Sequence, residues 1–142
     1  MNIRELYNQD FNLWVEEIKQ KIQKQDFREM DWENLLEEID DMGKSEKRSL
    51  ESYLQRLIEH ILKLKYWESQ RERNYRHWRA EVANFRNQIN RLLKRNPSFQ
   101  KYLEEIYPEI FAEVIQVRRL EFDIPDDVFI ALEEIMTMDY FG

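Results

Sequence analysis

Cysteine is absent from this 142-residue chain, which removes disulfides, thiolate nucleophiles and Cys-ligated zinc or iron–sulfur centres from the chemistry open to it. Glycine occurs twice and proline three times, too little punctuation for many short strands joined by tight turns. Gly43 and Gly142 cannot make a phosphate-cradling loop, and neither a nucleophile elbow nor a metalloprotease helix occurs. No apolar run approaches the roughly 18 residues that cross a bilayer, and the start MNIRELYNQDF carries acid where a signal peptide needs a hydrophobic region. The expectation is a cytoplasmic protein that does not enter a membrane.

What the chain does have is apolar and charged material in helical order. Aromatics make up 13% and apolar residues 42%, enough to build a core rather than a disordered chain, and the length suits a single helical domain over 1–142. Asp10 is a good N-cap for a helix carrying Phe11, Trp14, Val15, Ile18 and Ile22 and ending near Gln25. A second helix is expected from Asp31 through Trp32, Leu35, Leu36, Ile39 and Met42, stopping at Gly43. Ser45 then caps a third with Leu50, Leu54, Leu57, Ile61 and Leu64, running to about Trp67. After a polar break over 68–72, a fourth carries Tyr75, Trp78, Val82, Phe85, Ile89 and Leu92 and ends before Asn96-Pro97. A short link between two long helices favours antiparallel neighbours. The expected fold is therefore all-α: a compact helical bundle with a central antiparallel pair of long helices and shorter C-terminal helices. Those shorter pieces are Phe99 to Ile106, a segment kinked or restarted at Pro108, and Val128 to Met136 capped by Asp126 or Asp127. Residues Met138 to Gly142 are expected to dock loosely or fray.

The net charge of −7 hides a partition. Residues 1–43 hold 5 basic against 12 acidic side chains, residues 44–96 hold 14 against 6, and residues 97–142 hold 3 against 11. The simplest reading is that acidic segments pack around a basic helix pair and partly neutralise it. A sharper one makes Lys65, Trp67, Arg71, Arg73, Arg76 and Arg79 a binding face, since cations neutralise phosphates while aromatics stack on unpaired bases. Against nucleic acid stand the acidic chain as a whole and the placing of Tyr75 and Trp78 on the apolar seam. Trp14, Trp32 and Trp78 read as core, whereas Trp67 and Met138 to Phe141 read as exposed candidates for a partner.

Only two histidines are available for acid–base or metal chemistry. His60 borders the apolar face of its helix and His77 points toward solvent. A hydrogen-bonded boundary role suits His60, with general base or metal ligand as the alternative. Glu38 and Asp41, three residues apart, could hold a cation alone or with His60. The Glu-x-x-His pairs of di-iron bundles are missing, because Leu57 and Asn74 occupy the positions needed. No metal and no cofactor is expected.

The motifs Tyr7-x-x-Asp10-Phe11-x-x-Trp14, Asp31-x-Glu33-Asn34-Leu35-Leu36-Glu37-Glu38-Ile39 with Gly43, and Ser45-Glu46-Lys47-Arg48 resemble the domain of unknown function 29 family, common in cyanobacteria. Leu57 to Lys63, Trp78-Arg79, Arg86 through Ile89 and Asn96-Pro97-Ser98-Phe99 are similar to its later blocks. The resemblance implies a small all-helical fold in a bacterial cytoplasm and brings no activity or catalytic residue with it. The C-terminal stretch departs from the family, with Phe129-Ile130-Ala131 and Met138-Asp139-Tyr140 where a Pro-rich turn and a terminal Asp-Pro segment are usual. The leading expectation is a non-enzymatic module that binds another protein or a second copy. Nucleic-acid binding through the basic helix pair comes next, and an enzyme centred on His60 third.

Overall fold

The computed structural model describes residues 2–142, and among them it has six helices and no strand. The helices are α1 Ile3–Gln9, α2 Phe11–Gln23, α3 Trp32–Tyr66, α4 Glu68–Arg95, α5 Phe99–Arg118 and α6 Leu132–Ile135. The all-α class is as expected. Contacts divide the chain into two units, the described residues up to Ser45 and Glu46–Gly142.

In the first unit one residue makes the corner between α1 and α2. Asp10 takes an extended conformation (φ −151°, ψ 91°), and its side chain accepts from Leu13 N at 3.1 Å while its own N–H donates to the Leu6 carbonyl at 2.8 Å. The cap was legible in the sequence, but α1 was not, since only Ile3, Leu6 and Tyr7 mark its apolar side. Trp14, Ile18 and Met30 are buried, with Ile3, Leu6, Tyr7 and Leu35 packed around them. Asp31 is buried with them at 1% exposure. Its carboxylate accepts from Trp14 Nε1 at 3.0 Å, Asn34 Nδ2 at 2.7 Å and the Asn34 backbone at 3.4 Å, so it caps α3 and ties it to α2 at once. Burial works to raise its pKa, yet the hydrogen bonds from Asn34 and Trp14 outweigh this and hold the carboxyl below its ordinary value.

Gly43 does not end a helix. The expected second and third helices are one element, α3, 35 residues long. Gly43 has no left-handed backbone to offer a cap, and Lys44 Nζ pairs with Asp40 at 2.8 Å one turn back, in the i,i+4 geometry of an unbroken helix. A glycine inside a helix costs about 1 kcal/mol relative to alanine, too little to break one whose later turns are well buried. Ser45 accordingly lies inside α3 and caps nothing.

In the second unit α3 and α4 run antiparallel, joined only by Trp67. As residue numbers fall along α3, the partners on α4 rise: Lys63 lies over Trp78, His60 meets Phe85, and Glu46 meets Arg95 and Asn96. The polar break expected over 68–72 is absent, because Glu68 opens α4 directly. Leu54, Leu57, Ile58, Ile61, Val82 and Ile89 are fully buried, and α5 adds Leu103, Tyr107 and Phe111. Pro108 sits inside α5 and neither ends nor restarts it. The helix expected from Val128 to Met136 shrinks to Leu132–Ile135, preceded by extended Ala131 rather than capped by Asp126 or Asp127. Ile130 is buried here, and its carbonyl accepts from the Tyr107 hydroxyl at 2.5 Å, which fixes residues before α6 in extended form.

Candidate interaction surfaces

The basic and aromatic residues between Lys65 and Arg79 lie around the α3–α4 corner, but they do not form one open face. Trp67 is turned inward, stacked on Phe122 with ring centroids 4.9 Å apart and on Trp78 at 6.0 Å. It is half-buried rather than exposed as expected, because the corner between two long helices needs an apolar plug. Trp78 is core, as expected. Tyr75 is exposed, against the expectation that it lies on the seam, because the first two turns of α4 bury no residue and its buried stripe begins only at Trp78. Arg71 folds back, donating from Nη2 to the Lys65 carbonyl at 2.8 Å, while the exposed Lys65 ammonium lies 3.5 Å from the Tyr140 hydroxyl. Arg73 and Arg76 stand in solvent. The Arg79 guanidinium covers Phe141 at 4.3 Å and Tyr75 at 5.2 Å. Among the described residues no ion pair joins Arg71, Arg73, Arg76 or Arg79 to a carboxylate.

Arg86, not anticipated as a special position, fastens the chain end. It is 2% exposed and donates to the Ile135 carbonyl from Nε (3.1 Å) and Nη2 (2.9 Å), to Met138 from Nη1 (2.9 Å) and to Tyr140 from Nη2 (2.6 Å). The expected loose or frayed tail is therefore corrected: Tyr140 and Phe141 pack on the core, while Met138 and Asp139 are exposed. A methyl-sized side chain at Gly142 would come within 3.3 Å of the Ile61 carbonyl, so the chain end lies close on α3. Burial pushes the Arg86 pKa down. The signal in the sequence was its place one turn after Val82 on a buried stripe, where an arginine must find acceptors.

His60 is a boundary residue. Its Nδ1 donates to the Arg56 carbonyl at 2.7 Å and its ring lies 5.5 Å from Phe85; burial pushes its pKa down, against a smaller opposing effect of that carbonyl. His77 is exposed, as expected. Glu38 and Asp41 belong to the first unit and His60 to the second. Glu38 is engaged by the Tyr7 hydroxyl, a bond that pushes the Tyr7 pKa up to about 12. Among the described residues no three His, Asp or Glu side chains gather in a way that could hold a metal ion. A cleft of about 480 Å³ in the second unit is lined mainly by apolar groups such as Leu103, Tyr107, Phe129 and Met136, with Glu104 and Glu133 as its two charged groups among the described residues. Neither histidine reaches into it.

The largest departure from expectation is in the first unit. Trp32, assigned to the core, is 50% exposed, and Leu36, Ile39 and Met42 on the same helix are 63%, 56% and 65% exposed. Phe27 stands beside Trp32 with ring centroids 5.9 Å apart and is also exposed. Among the described residues, nine of the fourteen exposed large apolar side chains fall in this unit, which buries only three apolar ones. The reason is geometric: Asp31, Leu35 and Glu38 turn toward α1 and α2, leaving the row one step around α3 uncovered.

Among the described residues no helix is long and apolar enough to cross a membrane. Residues 6–141 match the family model described as Domain of unknown function DUF29. No curated protein and no solved structure matches the chain.

Proposed function

We propose, from the premise that the chain belongs to the DUF29 family, whose description names no activity, that it is a protein-interaction module without a reaction of its own. The observation that carries this reading is the open apolar row Trp32, Leu36, Ile39 and Met42. Contiguous exposed apolar area of this kind marks interaction sites in folded proteins. Tryptophan and methionine, two of the four residues, are also enriched at interface centres.

The test is affinity isolation from the protein's own cells after nuclease treatment, with mass spectrometry of whatever remains at stoichiometric level. The reading expects a reproducible protein that disappears when Leu36→Glu and Ile39→Glu are introduced together. Recovery of the chain alone from both preparations would contradict it.

A second reading rests on a different observation, the exposure of Tyr75 beside Arg73, Arg76 and Arg79. An exposed ring beside arginines that no carboxylate pairs suits a single strand of nucleic acid. Fluorescence anisotropy with an oligouridine probe at low salt decides it. Binding that weakens with salt and is lost in Arg73→Glu/Arg76→Glu would establish this reading, and no binding at low salt would remove it.

A further inference from the structure

We propose that the open row on α3 docks a basic amphipathic helix of a partner protein; this rests on the interaction reading and names the class of its partner. Trp32, Leu36, Ile39 and Gly43 follow a 4-3-4 spacing, the period at which one helix meets another along a seam. The same spacing continues in α3 as Leu50, Leu54, Leu57, Ile61 and Leu64, which are buried against helices. The earlier stretch has the pattern of a helix-packing seam and no helix upon it. From Trp32 to Gly43 it extends about 16 Å at 1.5 Å per residue, room for about three turns of a partner. Nothing lies within 4 Å of where a Gly43 side chain would begin, so a partner backbone can approach closely there.

Charge selects the partner. Residues 32–45 hold five carboxylates, at Glu33, Glu37, Glu38, Asp40 and Asp41, against the single base Lys44. Glu33, Glu37 and Asp40 are exposed and border the row on one side. A second copy laid antiparallel along the row would set this acidic border against its own equivalent, and like charges facing across a helix seam oppose pairing. An anionic lipid surface is disfavoured on the same ground. A helix with an apolar stripe flanked by Lys or Arg meets both requirements.

The test uses the full chain and two labelled synthetic peptides of about 18 residues with identical leucine stripes, one flanked by Lys and the other by Glu. The proposal expects the Lys peptide to bind at least about tenfold more tightly than its twin, more weakly as salt rises, and to lose at least about tenfold in Leu36→Glu but not in Arg73→Glu. Equal binding of both peptides, still abolished by Leu36→Glu, would overturn the basic class while leaving the interaction reading intact. Failure of the Lys peptide to bind, or binding indifferent to Leu36→Glu, would overturn the docking site. Sedimentation equilibrium showing a dimer that Leu36→Glu dissolves would overturn it in favour of a second copy.

Discussion

A guanidinium taken out of water keeps its charge and needs acceptors, and Arg86 finds them in three backbone carbonyls rather than in a carboxylate. Removing it orphans those carbonyls together. Arg86→Ala is expected to cost about 2 to 4 kcal/mol, and Arg86→Lys to recover only part of this, because an ammonium cannot reproduce the planar fork; urea denaturation of the three proteins checks both. The titrating residues separate by pH. Burial holds His60 below the ordinary imidazole value, so as pH falls through about 6.5 the unfolded chain takes up a proton first and native stability drops. His60→Gln should flatten the change in denaturation midpoint between about pH 7.5 and 5.5. Asp31 acts lower: its folded pKa lies below the unfolded value, so its contribution is full above about 4 and is lost as pH falls through the folded value. Asp31→Asn should remove that lower-pH step and leave the His60 step in place. The Asp10 and Asp31 caps could be read from local sequence. Arg86 could not, because its acceptors lie 49 to 54 residues away.

Helix identity was legible wherever apolar period and burial agree, as in the seam from Leu50 to Leu64 and its partner from Trp78 to Ile89. It failed where a single residue was read as punctuation. Gly43 illustrates this, since glycine favours a cap only if the backbone turns left-handed, and here the flanking turns hold it helical. Gly43→Ala should therefore stabilise the chain by about 0.5 to 1 kcal/mol, where a true cap would lose about as much. Thermal denaturation distinguishes the signs. Trp78→Ala should cost about 3 to 5 kcal/mol, since its ring is buried and stacked on Trp67. The shortened α6 has its cause in the Tyr107 bond to Ile130, a contact 23 residues apart that no local pattern announces.

For the molecule as a whole, class and family were readable from composition and motif, and residues 6–141 match the family model. The exposure of Trp32, Leu36, Ile39 and Met42 was not readable, because they carry the same period as core residues, and periodicity alone does not say whether a face is covered. The acidic border beside them was the available clue, and it read equally well as a solvated helix face. In the second unit nearly every apolar residue of the long helices finds a partner, whereas the first leaves most of its own in solvent.

The proposed docking site requires that row to be open in the free chain, and urea denaturation of Leu36→Glu/Ile39→Glu beside the natural sequence tests this. If the row faces solvent, two new charges change stability by no more than about 0.5 kcal/mol each. A loss of several kcal/mol would mean that the row is covered in the free protein and that its residues are core.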